Sequence, residues 1–108
     1  MSKLPEGMSF WVQCATVDHM VFVERLPPPT LVKIDVEGWE PFVLKGAQRL
    51  IRQSAPKAIA FEAEHASDLD ILDRELTRLL HDFGYHIEHI PRRNEGLKPR
   101  ENYLAVRK

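Results

Sequence analysis

The chain has 108 residues, of which 44% are hydrophobic, and a formal net charge of -1 from 15 basic and 16 acidic side chains. This length and composition predict one soluble domain, and the near-zero charge argues against nucleic acid or an anionic membrane as the main partner. One cysteine excludes an internal disulfide and four-cysteine zinc sites, and without a signal-like or spanning apolar stretch we expect a cytoplasmic protein.

The first part of the chain predicts two short elements. Residues 1–9 form a polar tail, and Phe10–Ala15 (FWVQCA) has the composition of a β-strand. Thr16 can cap a short helix that carries Asp18 in its first turn, near the positive end of the helix dipole. Three prolines at 27–29 end that helix.

The middle of the chain predicts a strand–helix–strand unit. Leu31–Val36 is apolar on both faces, which is typical of a buried parallel strand. Gly38 permits a sharp turn, and apolar residues at helical spacing then predict a helix over Pro41–Gln53. Gly46 inside this helix indicates a close approach of the helix to the sheet. Ala58–Ala63 is the next predicted strand.

The remaining elements complete an α/β pattern. Ser67 begins a second long helix, and Gly84 is placed to end it in the left-handed conformation. Two strands follow, Tyr85–Ile90 and Tyr103–Arg107, joined by the loop Pro91–Asn102. Residues 10–108 therefore predict a single α/β domain whose mostly parallel sheet is closed by one antiparallel strand and has helices on its faces.

Acidic side chains follow both predicted parallel strands at their carboxyl ends. Asp35 and Glu37 follow the first strand, and Glu62, Glu64 and His65 follow the second. Ligands bind at this edge of such sheets, where a carboxylate beside a glycine turn can act as a general base. The alternative is that Asp35 and Glu37 only accept backbone N–H bonds from the turn and from the start of the next helix.

Other readings of the polar residues are weaker. His65 titrates near neutral pH and can relay a proton, or it is simply exposed on a loop. Glu62, Glu64 and His65 together offer metal ligands, but we predict no metal site. The odd spacing of His86 and His89 sends their side chains to opposite faces of a strand, which makes them poor joint ligands.

Cysteine and tryptophan carry little further signal. Cys14 is predicted to be a small core residue, because no neighbouring base or positive cluster activates its thiol. Trp11 and Trp39 have rings that can stack on a cofactor, and for Trp39 we favour partial burial or a contact surface.

One segment resembles a known family. The run L-V-K-I-D-V-E-G-W-E-P-F-V-L-K-G over Leu31–Gly46, followed by Ala47, resembles the pattern I-K-I-D-V-E-G-x-E-x-x-V-L-x-G-A of the FkbM-type S-adenosylmethionine-dependent methyltransferases. Thr16-Val17-Asp18 resembles the T-L-D of that family, and Phe61-Glu62 resembles its strand that ends in glutamate.

The resemblance implies part of a Rossmann-like class I methyltransferase sheet. In strand order 3-2-1-4-5-7-6, Leu31–Val36 corresponds to the fourth strand and Ala58–Ala63 to the fifth. Tyr85–Ile90 corresponds to the sixth and Tyr103–Arg107 to the seventh, inserted antiparallel between the fifth and sixth. The similarity thus covers the C-terminal half of the family's domain, and the first three strands have no counterpart.

The resemblance also implies methyl transfer from S-adenosylmethionine to a hydroxyl of a small molecule or sugar. Asp35 corresponds to the position facing the reacting methyl group, Glu37 lies beside it, and Glu62 and His65 rim the acceptor side. No two of the five glycines lie close together, so the glycine-rich cofactor loop is missing and cofactor-binding residues stay unassigned. We expect the chain alone to be inactive; the alternative is a non-catalytic dimeric module derived from a methyltransferase.

A partner follows from the same comparison. Without a first strand beside it, Leu31–Val36 becomes a sheet edge that carries only Lys33 as a deterrent to pairing. Either Phe10–Ala15 folds back over this edge or a second copy covers it across a two-fold axis. We predict the homodimer.

Overall fold

The computed structural model describes residues 7–64, 74–91 and 99–107. In chain order the elements are a π-helical segment His19–Val23, β1 Leu31–Ile34, α1 Glu40–Lys45, α2 Gln48–Ser54, β2 Ala58–Glu64, α3 Arg74–Asp82, β3 Tyr85–Ile90 and β4 Arg100–Arg107. Within these ranges the strands form one mixed sheet in the order β1-β2-β4-β3. None of the described helices combines the length and the apolarity needed to cross a bilayer.

The strand directions confirm the predicted arrangement of the C-terminal strands. β1 and β2 are parallel, while β4 is antiparallel to both β2 and β3 and lies between them. β4 begins at Arg100 rather than at Tyr103, because its first residues pair with the end of β2, where Glu64 faces Arg100. The predicted start of a helix at Ser67 lies outside the described residues. Gly84 ends α3 with a φ of 89°, as predicted.

The core lies on one face of the sheet. Ile34, Phe61 and Tyr103 lie opposite one another on adjacent strands, and they are buried together with Leu44 of α1 and Leu80 of α3. Burial of each such side chain contributes roughly 1.5–3 kcal/mol. Side chains alternate along a strand, so the residues between these lie on the opposite, only partly buried face.

The predicted strand Phe10–Ala15 is wrong. No described strand pairs with this segment, and the side chains of Phe10 and Trp11 are 64% and 103% exposed. β-propensity alone does not make a strand, because the backbone needs a partner for its hydrogen bonds. Cys14 lies in the same segment and is exposed, so its predicted place in the core is also wrong.

The predicted continuous helix Pro41–Gln53 is broken in two at Gly46. The reason is Asp18, whose carboxylate accepts the N–H groups of Arg49 at 2.9 Å and Leu50 at 2.8 Å. The backbone N–H of Asp18 also donates to the carbonyl of Gly46 at 2.9 Å. Asp18 therefore caps α2 from a distant part of the chain.

Thr16 explains the glycine at position 46. Its hydroxyl accepts the N–H of His19 at 3.0 Å, which confirms the predicted cap. A Cβ added to Gly46 would lie 3.1 Å from both Cβ and Cγ2 of Thr16. The close approach predicted at Gly46 therefore exists, but it is made by Thr16 and not by the sheet, where we had expected it.

Removal of the Asp18 carboxylate tests this capping. Asp18→Ala is expected to lower the free energy of unfolding by about 1–2 kcal/mol, because two N–H groups at the start of α2 lose their acceptor. Asp18→Asn keeps one acceptor oxygen and should lose about half as much. Urea denaturation measures both, and an unchanged midpoint for Asp18→Ala would contradict the assignment.

β1 is shorter and more exposed than predicted. It ends at Ile34, so Asp35 and Val36 belong to the turn that follows. Ile34 is the only buried residue of this strand, whereas Leu31 is 63% exposed. The expectation of burial on both faces is wrong because β1 lies at the edge of the sheet, with β2 as its neighbour within the described residues.

Pairing of this edge with a second copy stays a prediction. Exposed edge strands with apolar side chains are templates for pairing. Light scattering is expected to give a mass near twice 12.5 kDa, and Leu31→Lys should shift it toward the monomer. Leu26→Lys changes an equally accessible leucine outside the strand and should leave the dimer intact. A monomeric mass for the unmodified chain would contradict the prediction.

Candidate acceptor site

A cavity of about 290 Å³ opens at the carboxyl ends of β1, β2 and β3. The start of β4 completes its wall, because β4 runs in the opposite direction. The cavity is lined by Lys33, Ile34, Asp35, Ala60, Phe61, Glu62, Ile90, Asn102 and Tyr103. Its size fits a small molecule, and its position is where ligands bind in open α/β sheets.

Two of the predicted site residues meet in this cavity. Asp35 follows β1 and Glu62 lies near the end of β2, and the parallel pairing of these strands brings both carboxylates to one edge. Asp35 is exposed and has no hydrogen bond or ion pair with another described residue. Its carboxylate is therefore available to a ligand, and Asn102 adds an amide that can both donate and accept.

Glu62 is held by an arginine that the sequence did not indicate. The Nε of Arg100 lies 3.3 Å from Oε1 of Glu62, and its Nη2 donates to the backbone carbonyl of Glu62 at 3.1 Å. Nη2 also lies 3.4 Å from Oε1 of Glu40. A positive charge thus stands between two carboxylates at the rim of the cavity, and it compensates Glu62 but does not touch Asp35.

The turn after β1 is organised by Glu40. Both of its carboxylate oxygens accept the N–H of Gly38, at 3.1 and 3.0 Å. The turn places Glu37 at φ 48° and Gly38 at φ 104°, and the first of these costs about 1 kcal/mol for a residue with a side chain. The bond to the turn that we had considered for Asp35 and Glu37 is made by Glu40, and Glu37 is exposed outside the cavity lining.

The weaker candidates do not join the cavity. His65 lies outside the described residues. Among the residues that the structure describes, no three His, Cys, Asp or Glu side chains are grouped to hold a metal. His86 is exposed, while His89 turns to the other face and lies 3.6 Å from Glu101. Trp39 is exposed and packs its ring 5.1 Å from that of Phe42.

Comparison with known proteins identifies the family. The sequence model of the Methyltransferase FkbM domain matches residues 10–87, which is more than half of the chain. The chain belongs to the FkbM methyltransferase domain family. The matched range contains β1, the turn after it and β2, and it stops before Arg100. No curated protein and no solved structure gives a significant match.

The residues around the cavity do not fit the cofactor of this family, which is generally S-adenosylmethionine-dependent. Close approach of backbone to such a cofactor uses neighbouring glycines. Among the described glycines, only Gly38 lies at this edge of the sheet, and it is isolated. The cavity instead presents carboxylates, an amide and a lysine. We therefore assign no described residue to S-adenosylmethionine.

Proposed function

We propose that this FkbM-family domain carries the acceptor side of a methyl-transfer site for a hydroxyl group of a small molecule or sugar. The observation that supports it most is the accessible, unpaired carboxylate of Asp35 in a cavity that also contains Glu62 and Asn102. Family membership supplies the reaction class. In that class S-adenosylmethionine supplies the electrophilic methyl group.

The two cavity carboxylates have different roles in this proposal. Asp35 accepts the proton of the acceptor hydroxyl, because its charge is not engaged by another described residue. Glu62 is compensated by Arg100 and is fixed in place by it, so it orients the acceptor by accepting a second hydroxyl. Asn102 adds a donor and an acceptor for further hydroxyls. Their combined effect is to hold one oxygen beside a base.

A sugar titration tests the acceptor site without the cofactor. D-glucose, added to the ¹⁵N-labelled chain at millimolar concentrations, is expected to shift the amide signals of Asp35, Glu62 and Asn102. Asp35→Ala should weaken these shifts by about fivefold or more, as for the loss of one hydrogen bond to a charged group. Glu88→Ala removes an exposed carboxylate outside the cavity and should leave them unchanged. Shifts elsewhere, or none, would contradict the proposal.

The chain by itself is not expected to bind S-adenosylmethionine. The physical reason is the lack of neighbouring glycines that would let the backbone approach the cofactor. Calorimetric titration of the 108-residue chain should give no binding heat at micromolar cofactor. A dissociation constant in the micromolar range would show that other residues replace the glycine-rich loop, and this expectation would then be wrong.

A further inference from the structure

Arg100 contacts both sides of the candidate acceptor site. Its guanidinium reaches Glu62 at the end of β2 and Glu40 at the start of α1, at 3.3 and 3.4 Å. These two residues belong to different elements, and the cavity lies where those elements meet. Arg100 itself does not line the cavity, so its effect on a ligand must pass through the residues that it holds.

Glu40 transmits this contact to the turn that carries Asp35. The carboxylate of Glu40 is only 3% exposed, and besides Arg100 it accepts the N–H of Gly38 with both oxygens. A buried carboxylate is costly unless it is paired and hydrogen-bonded, so its position depends on both partners. The turn contains two residues at positive φ, Glu37 and Gly38, and is maintained by these bonds.

We propose that Arg100 is a positioning residue of the acceptor site. It fixes Glu62 directly and fixes Asp35 through Glu40 and the Gly38 turn. The guanidinium fork is needed for this, because it presents separate N–H groups to two carboxylates, whereas a lysine ammonium is a single point charge. The link to acceptor binding rests on the proposed function, but the mechanical link from Arg100 to Gly38 does not.

Amide hydrogen exchange in the full chain measures the mechanical link. The exchange rate of Gly38 is compared with that of Leu50, whose N–H is bonded to Asp18 away from the site. General destabilisation speeds both rates, so their ratio isolates the turn. Arg100→Met is expected to raise the ratio by about tenfold, as for the loss of one charge-assisted hydrogen bond. Arg100→Lys keeps the charge and should raise it as well.

Arg107→Met is the matched control, because Arg107 lies on the same strand and donates to the carbonyl of Ile51, far from the cavity. It should leave the ratio unchanged. An unchanged ratio in both Arg100 variants would overturn the proposal. D-glucose titration of the same variants is expected to show weaker shifts for Arg100→Met and Arg100→Lys only. If the ratio responds but glucose shifts nothing in the unmodified chain, the acceptor function fails and the mechanical link stands.

Discussion

The candidate site depends on one buried carboxylate. Glu40 is 2% exposed, yet it carries a charged group at the start of a short helix. Burial of that charge is tolerated because the N–H of Gly38 and the guanidinium of Arg100 both point at it. The same two bonds determine the shape of the turn after β1 and the spacing between β1 and β2 at the rim of the cavity.

Sheet topology makes this contact available. β4 enters the sheet antiparallel, so its first residues lie at the same edge as the last residues of the three strands that run the other way. Arg100 is 60 residues away from Glu40 along the chain and meets it only through this reversal. Insertion of an antiparallel strand thus brings a positive charge to an edge that would otherwise hold carboxylates and one exposed lysine.

Sequence patterns predicted the elements whose signals are local. The β-branched run at Leu31, the glycine at 84 and the place of the last strand were all found this way. The failures share a cause, which is a contact distant in sequence. The helix break at Gly46 comes from Asp18, and β-propensity at Phe10–Ala15 meets no partner strand.

The site shows the same division. The meeting of Asp35 and Glu62 follows from two strand ends in a parallel pair, which a sequence pattern can indicate. Glu40 was placed on the turn, but nothing in the pattern showed that it is buried. Arg100 lies in a basic stretch with no spacing signal and outside the range matched by the family. Only the register of β4 assigns it to the site.

A double-mutant cycle between Glu40 and Arg100 tests this account most directly. The free energy of unfolding is measured by urea denaturation for Glu40→Gln, Arg100→Met and the double variant. The account predicts a coupling energy of about 1 kcal/mol or more, because removal of either partner already abolishes the shared interaction. Single losses that add to within about 0.3 kcal/mol would show that the two residues act independently, and would contradict the account.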